Sequence, residues 1–154
     1  MKAISIWQPH ASLLLVGPKR YETRGWRLPR TIIGTRVAIH AAKATADLIE
    51  LAEYVSDRID GAPAEEAFER YLRAILAAGF RTVGEMPRGS IIGSVVFKES
   101  VPSELAEDHG DFGDFAPGRF AWLAAEARLL PEPVPFRGMQ GFFDVPDELL
   151  AEAA

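Results

Sequence analysis

The order of apolar and polar positions cuts the chain into short alternating stretches and a few helical ones. Ala3–Trp7 (AISIW) predicts a short buried strand. Pro9 suits the first position of a helix, where a missing N–H costs nothing, and His10–Val16 continue it. Gly17 predicts a left-handed stop, and Pro18 forbids continuation. Lys19–Trp26 alternate, and residues 35–41 (TRVAIHA) predict a second extended segment. Two helices follow. The first, about 45–59, places Leu48, Ala52, Val55 and Ile59 at helical spacing; the second, about 64–78, carries Phe68, Leu72 and Ile75 on one stripe and stops at Gly79. A Gly61-Ala62-Pro63 break separates them. The β-branched run SIIGSVVFKESV (90–101) predicts a central strand, in which Gly93 marks a bulge or a close backbone approach. Residues 102–117 read as an acidic loop with a turn of helix at Ser103–Glu107. Arg119–Leu130 read as a strand, 131–141 as a Pro- and Gly-punctuated turn, and Phe142–Val145 as a last short strand.

The order is therefore β-α-β-β-α-α-β-β-β. Strands outnumber helices and the helices cluster, which favours an α+β fold with a mixed or barrel-like sheet over a doubly wound one. At 154 residues the chain is one domain's worth, with an acidic helical insert at about 44–80. Charge sharpens this division. Residues 1–43 carry net +7, residues 44–70 net −6 and residues 71–154 net −6. A basic first quarter can meet phosphates locally even in an acidic chain, although acidic helices also serve simply to solvate an outer face.

Composition removes several chemistries. The chain has no Cys, which excludes disulfides, Cys-ligated zinc and thiol catalysis. The three His, at 10, 40 and 109, have no metal-ligand spacing, so no metal is expected. Neither a Walker-type phosphate loop nor a G-x-G-x-x-G occurs, no other cofactor is implied, and Ser5, Ser12 and Ser90 lack a nucleophile-elbow context. The N-terminus has no signal-peptide pattern and no stretch has the length of a membrane span; the expectation is a cytoplasmic protein with no membrane partner.

The charged stretch GPKRYETR, residues 17–24, sits directly beside the apolar HASLLLV. If residues 20–26 are extended, Arg20, Glu22, Arg24 and Trp26 share one face, and Tyr21, Thr23 and Gly25 the other. Carboxylate, guanidinium and indole together suit a nucleobase with a phosphate, and Lys19 can reach the same place. The ordinary reading is an edge-strand salt bridge between Glu22 and Arg24, worth about 0–1 kcal/mol. In 35–41, Val37, Ile39 and Ala41 face the core. His40 shares the other face with Arg36 and Ala38, so it is half-exposed or lines a cleft, more in keeping with a structural hydrogen-bonder than a catalyst. Trp7 and Trp122 lie in apolar strands and are expected in the core, while Trp26 is as much platform as core. Arg137 is a solvated turn residue that can lend charge near a cleft, and the carboxylate-rich 108–114 lacks a calcium-loop pattern and reads as solvated surface.

The run IWQPHASLLLVGPKRYETR resembles the signature of the ASCH domain family, relatives of the PUA domain, in which G-x-K-x-x-E-x-R follows a Q-P-x-A-S-type helix. Gly17, Lys19, Glu22 and Arg24 match it position by position. GSIIGSVVF, DFAPGRFAWLA and PFRGMQGFFDVP are also similar to family segments and occur in the expected order. The resemblance implies a PUA-like β-barrel of about five to six strands, mixed, with surrounding helices and a cleft that holds the motif. It implies RNA or a nucleotide or nucleoside as ligand of that cleft, with Lys19, Glu22 and Arg24 as ligand-binding residues; Trp26 and His40 join the ligand-binding set through the strand faces read above. Some similar small proteins are amidohydrolases that deacylate N4-acetylcytidine, with a Lys and a Thr taking part in amide cleavage beside a further Glu. This chain matches them at Lys19 and Arg24 and has Glu22 where they have Thr, so Lys19 and Glu22 become the catalytic pair of an enzymatic alternative. Glu107 is a candidate further acid by location alone. A third reading is a protein-interaction domain that uses the acidic helices.

Overall fold

The computed structural model describes residues 1–45, 64–81 and 83–153. Its strands are β1 (Lys2–Gln8), β2 (Tyr21–Arg24), β3 (Arg36–Thr45), β4 (Ser90–Pro102), β5 (Phe120–Pro135) and β6 (Phe142–Asp144). Helix α1 is His10–Val16 and α2 is Ala64–Ala77; short 3-10 turns occupy Val83–Glu85, Ser103–Leu105 and Asp147–Ala153. The six strands form one sheet in the order β2-β5-β4-β3-β1-β6. Only β1 and β3 run parallel among the paired strands, so the sheet is mixed as the PUA-like α+β reading expects. The ladder does not close into a barrel, because β2 and β6 remain its two edges. Instead the edges are drawn together by side chains. Trp26, just beyond β2, packs edge-on against Phe142 of β6 at 5.9 Å, and Arg24 donates to the Ser5 carbonyl of β1 at 2.8 Å.

Alternation fixes which side of each strand is core. Ile4, Ile6, Val37, Ile39, Ala41, Ile92, Val95, Phe97 and Trp122 fill the inside of the curled sheet, with Leu14 and Leu15 of α1. Leu13 faces the other way and joins Tyr71, Ala74 and Ile75 of α2 with Met86 and Phe112. α1 is thus wedged between sheet and α2, which is why Ala11 to Leu15 of HASLLLV are all buried. Its exposed backbone ends need partners. Buried Gln8 supplies one, accepting the Ser12 N–H at 3.0 Å while its amide donates to Ser12 Oγ and the Pro87 carbonyl, each at 2.8 Å. The buried stripe of α2 centres on Tyr71 and Ile75, and Phe68 and Leu72 flank it half-buried. The predicted helix at 45–59 and the break at 61–63 lie outside the described residues, apart from Thr45, which ends β3.

Three expectations need correcting. Gly17 is extended (φ −113°, ψ −163°), not left-handed; Pro18 alone ends α1, and the Gly17 N–H still closes on the Leu13 carbonyl. β5 does not stop at Leu130 but runs to Pro135, through three prolines. β2 covers β5 only from Phe120 to Leu123, so residues 131–135 are unpaired on that side, and on the other side the ladder with β4 bulges between Leu129 and Val134, where Pro131 and Pro133 fall outside the paired positions. Trp7 is 60% exposed, since β1 buries Ile6 and Gln8 on either side of it. By contrast, Gly79 does stop α2, with φ +94° and the Phe80 N–H closing on the Ile75 carbonyl. Among the described residues no helix is long and apolar enough to cross a membrane.

Gly93 sits where β4 slips register against both neighbours. A Cβ there would lie 2.4 Å from the Arg128 carbonyl oxygen and 2.8 Å from Leu15 Cδ1. The backbone of β5 cannot yield cheaply, so Gly93→Ala is expected to destabilise the protein by about 1–3 kcal/mol, the usual cost of overpacking. A urea denaturation curve superimposable on that of the parent would remove the close approach from this account.

Candidate functional site

β2 and the turn before it carry the G-x-K-x-x-E-x-R residues. The two-residue period puts Glu22 and Arg24 on one face, and Arg24 Nε donates to Glu22 Oε1 at 2.8 Å. Lys19 swings in from the turn, its Nζ 4.0 Å from Glu22 Oε2. Lys19 is 4% and Glu22 6% exposed, so a charged line of ammonium, carboxylate and guanidinium is held out of water. These are the residues the sequence motif singles out, and the chain brings them together and pairs them.

A strap makes that burial possible. Residues 102–117 read as an acidic loop in sequence and 108–114 as solvated surface, yet Phe112 and Asp114 are buried and much of 106–119 lies over the motif. The Phe112 carbonyl accepts from Lys19 Nζ at 2.9 Å. The Phe112 ring is anchored 5.1 Å from Tyr71 in the α1–α2 cluster, and Arg70 of α2 reaches Asp111 at 3.6 Å. Thr23 Oγ1 accepts the N–H of buried Asp114 at 3.1 Å. Arg119 donates to the Asp114 carbonyl and to the Thr23 carbonyl, at 3.1 and 3.3 Å, and pairs with the Asp114 carboxylate at 3.2 Å. Gly113, at φ +141°, leaves room for Lys19 Nζ, which a Cβ would approach to 3.2 Å. Phe112, Asp114 and Arg119 were missed by sequence reasoning. The available signal was glycines at 110 and 113 within an acidic stretch that ends in an arginine.

Burial drives the Lys19 ammonium from its ordinary value to about 8; the Glu22 carboxylate resists this shift and the Arg24 guanidinium adds to it. Desolvation, with the Lys19 charge behind it, also holds the His10 imidazole well below its usual range. Lys19 therefore exchanges its proton near neutral pH, and next to a carboxylate it has the makings of an acid–base pair.

The remaining candidates are placed less uniformly. Arg24 keeps about a quarter of its side chain exposed at the seam between the sheet edges (26%). Trp26 is partly exposed beside it, its ring 4.8 Å from Trp122, whose indole N–H reaches the Trp26 carbonyl at 3.3 Å. His40 is not half-exposed; it is buried, with Nδ1 2.9 Å from Ser5 Oγ and Nε2 2.8 Å from the Phe136 carbonyl, yet it does line a pocket. That pocket is separate from the strap over Lys19, although Ser5 touches both regions, through its carbonyl to Arg24 and its hydroxyl to His40. Glu107 is exposed in the strap region. Trp122 is core, as expected. Among the described residues no three His, Asp or Glu gather as metal ligands.

The fold is similar to that of known structures. ASCH from Zymomonas mobilis matches with a TM-score of 0.51 and 16% identity, over 96% of this chain and 88% of that one. Two single-residue variants of the same protein match at TM-scores of 0.53 and 0.50, with 15% and 16% identity, over 96% of this chain and 89% and 91% of theirs. The chain has the ASCH fold. A comparison with protein-family models and one with curated proteins each find no match.

The lowered Lys19 value has a consequence for stability. Between about pH 8 and 10.5 the unfolded chain binds the Lys19 proton and the folded chain does not, so this group's contribution to stability rises with pH across that window. Below pH 8 the folded state carries the full penalty of a buried ammonium, of the order of 3 kcal/mol. Urea unfolding of wild type and Lys19→Met is expected to show a stability difference that moves in favour of wild type from pH 8 to 10.5 and is flat below pH 7. A difference that stays constant through pH 10.5 would mean that Lys19 titrates as an ordinary lysine.

Proposed function

We propose that this ASCH-fold protein binds RNA, or a nucleotide or nucleoside, at the charged site formed by Lys19, Glu22 and Arg24. The observation that carries this reading is the chemistry at the seam. Arg24 is braced from behind by Glu22 and the Ser5 carbonyl, with its guanidinium partly open to solvent beside the partly exposed Trp26 indole. A braced guanidinium gives directional bonds to a phosphate or base edge at little entropic cost, and an adjacent indole gives a surface for stacking. Behind them, buried under the strap until it lifts, Glu22 is an acceptor for exocyclic amines and Lys19 a second cation.

An enzymatic reading of the same site has one observation in its favour, a buried lysine with a proton affinity near 8 that lies 4.0 Å from a carboxylate. In amide hydrolysis of an acylated nucleoside such as N4-acetylcytidine, Glu22 takes a proton from water as the oxygen adds to the acyl carbon. The Lys19 ammonium stabilises the resulting oxyanion. Collapse expels the nucleoside amine, which recovers the proton from Glu22, and leaves acetic acid, which gives up its remaining proton to solvent as acetate. Lys19 is now held by the Phe112 carbonyl, so this chemistry requires the strap to lift.

Arg24→Ala is expected to weaken binding of short RNAs or nucleotides about tenfold and to reduce the dependence of affinity on salt. Affinity unchanged in that variant sinks the assignment of the seam. Incubation with N4-acetylcytidine separates the two readings: cytidine release by wild type that disappears in Lys19→Met and Glu22→Gln selects the enzyme, and no release leaves a recognition site.

A further inference from the structure

A second place in the molecule has the makings of a site, and it uses neither Lys19 nor Glu22. An open-sided pocket of 720 Å³ lies between β3, the turn before β4 and residues 136–140. Its size falls in the usual range for small-molecule sites, about 300–1,000 Å³. Among the described residues that line it, the ionised side chains are Lys43 and Arg137, with no carboxylate beside them. Phe136 and Met139 supply apolar wall, and Gln140 an amide.

The walls are fixed in advance. A carbonyl can only accept, so the contact from His40 Nε2 to the Phe136 oxygen puts the ring proton on Nε2 and leaves Nδ1 to accept from Ser5 Oγ. His40 thereby ties the 136–140 segment to β1 and β3. The Phe136 N–H closes on the Gly89 carbonyl at 3.1 Å, and the Gly89 N–H on the Ala41 carbonyl at 2.7 Å. Gly138 lies close against the imidazole: a Cβ there would be 2.6 Å from both His40 Cε1 and Ser5 Oγ. Part-buried hydrogen bonds and an absent side chain thus hold two exposed cations and an apolar wall around one space, the kind of preorganisation that lowers the entropic cost of binding.

We propose that this pocket binds a nucleotide-sized phosphomonoester, with Lys43 and Arg137 holding the phosphate and Phe136 and Met139 lying against the body of the ligand. It is a second site, and it stands or falls separately from the motif at Lys19. The test is calorimetric titration of the full chain with adenosine 5′-monophosphate, adenosine and inorganic phosphate. Lys43→Ala/Arg137→Ala is compared with Arg73→Ala/Arg81→Ala, which removes the same two charges from exposed positions outside the pocket. The nucleotide is expected to bind at least about tenfold tighter than adenosine or phosphate alone. The pocket double variant is expected to lose about tenfold or more, and the control to stay within about twofold of wild type. No nucleotide binding to wild type, or binding that the pocket variant leaves intact, overturns the proposal. If binding survives in the pocket variant and is lost in Arg24→Ala, the nucleotide sits at the motif, which overturns this inference and leaves the proposed function standing.

Discussion

Lys19 and Glu22 are ionised groups kept out of water, and much of the architecture around them follows from that one constraint. An isolated charge in a protein interior costs several kcal/mol, so each needs partners with good geometry. Glu22 has Arg24 at 2.8 Å, and Lys19 has the Phe112 carbonyl at 2.9 Å. Neither partner is self-supporting. Phe112 is in place because its ring fills the cluster between α1 and α2, and Arg24 because its second nitrogen is held by the Ser5 carbonyl. The motif therefore recruits the strap, the second helix and the far edge of the sheet, and a change at any of these reaches Lys19.

The same constraint bears on the open sheet. β6 pairs with β1 only from Lys2 to Ile4, which leaves the next carbonyl, that of Ser5, available at the edge. Arg24 takes it. Trp26, Trp122 and Phe142 pack the seam beside it, with Trp122 and Phe142 stacked at 5.8 Å. Side chains thus do between β2 and β6 what a ladder does in a closed barrel. A side-chain seam differs from a ladder in one useful respect: a guanidinium and an indole at its surface can serve a ligand, whereas paired backbone cannot.

Local pattern made most of the elements readable. The bounds of α1 follow from Pro9, Pro18 and an apolar run between them, and Gly93 was legible as a close approach because glycine interrupts an otherwise β-branched strand. What failed was set by distant neighbours. Trp7 looks like core by composition, and only the pairing of β1 shows that it faces out. Prolines 131, 133 and 135 look like a turn until β2 is seen to stop short of them. The strap misled most, because an acidic loop is ordinarily solvated, and its two buried anchors are a phenylalanine and an aspartate that no short-range pattern distinguishes from the rest. The motif residues were legible through their spacing, but the depth of Lys19 was not, since a lysine is rarely buried and nothing within the motif says that a carbonyl ninety-three residues away will receive it.

An acidic chain with two cationic places on it is not a contradiction. Lys19, Arg24 and Lys43 all come from the first 43 residues, where the net charge is +7, and the fold adds Arg137 from nearly a hundred residues further on. At physiological ionic strength, fields between exposed charges fade within about 8 Å, so the acidic side chains elsewhere on the surface do little to cancel a guanidinium at the seam or a lysine at the pocket rim. What an anion meets on approach is the local arrangement. On this chain that arrangement has been built twice, once around a buried carboxylate and once around a buried imidazole, with Ser5 touching both.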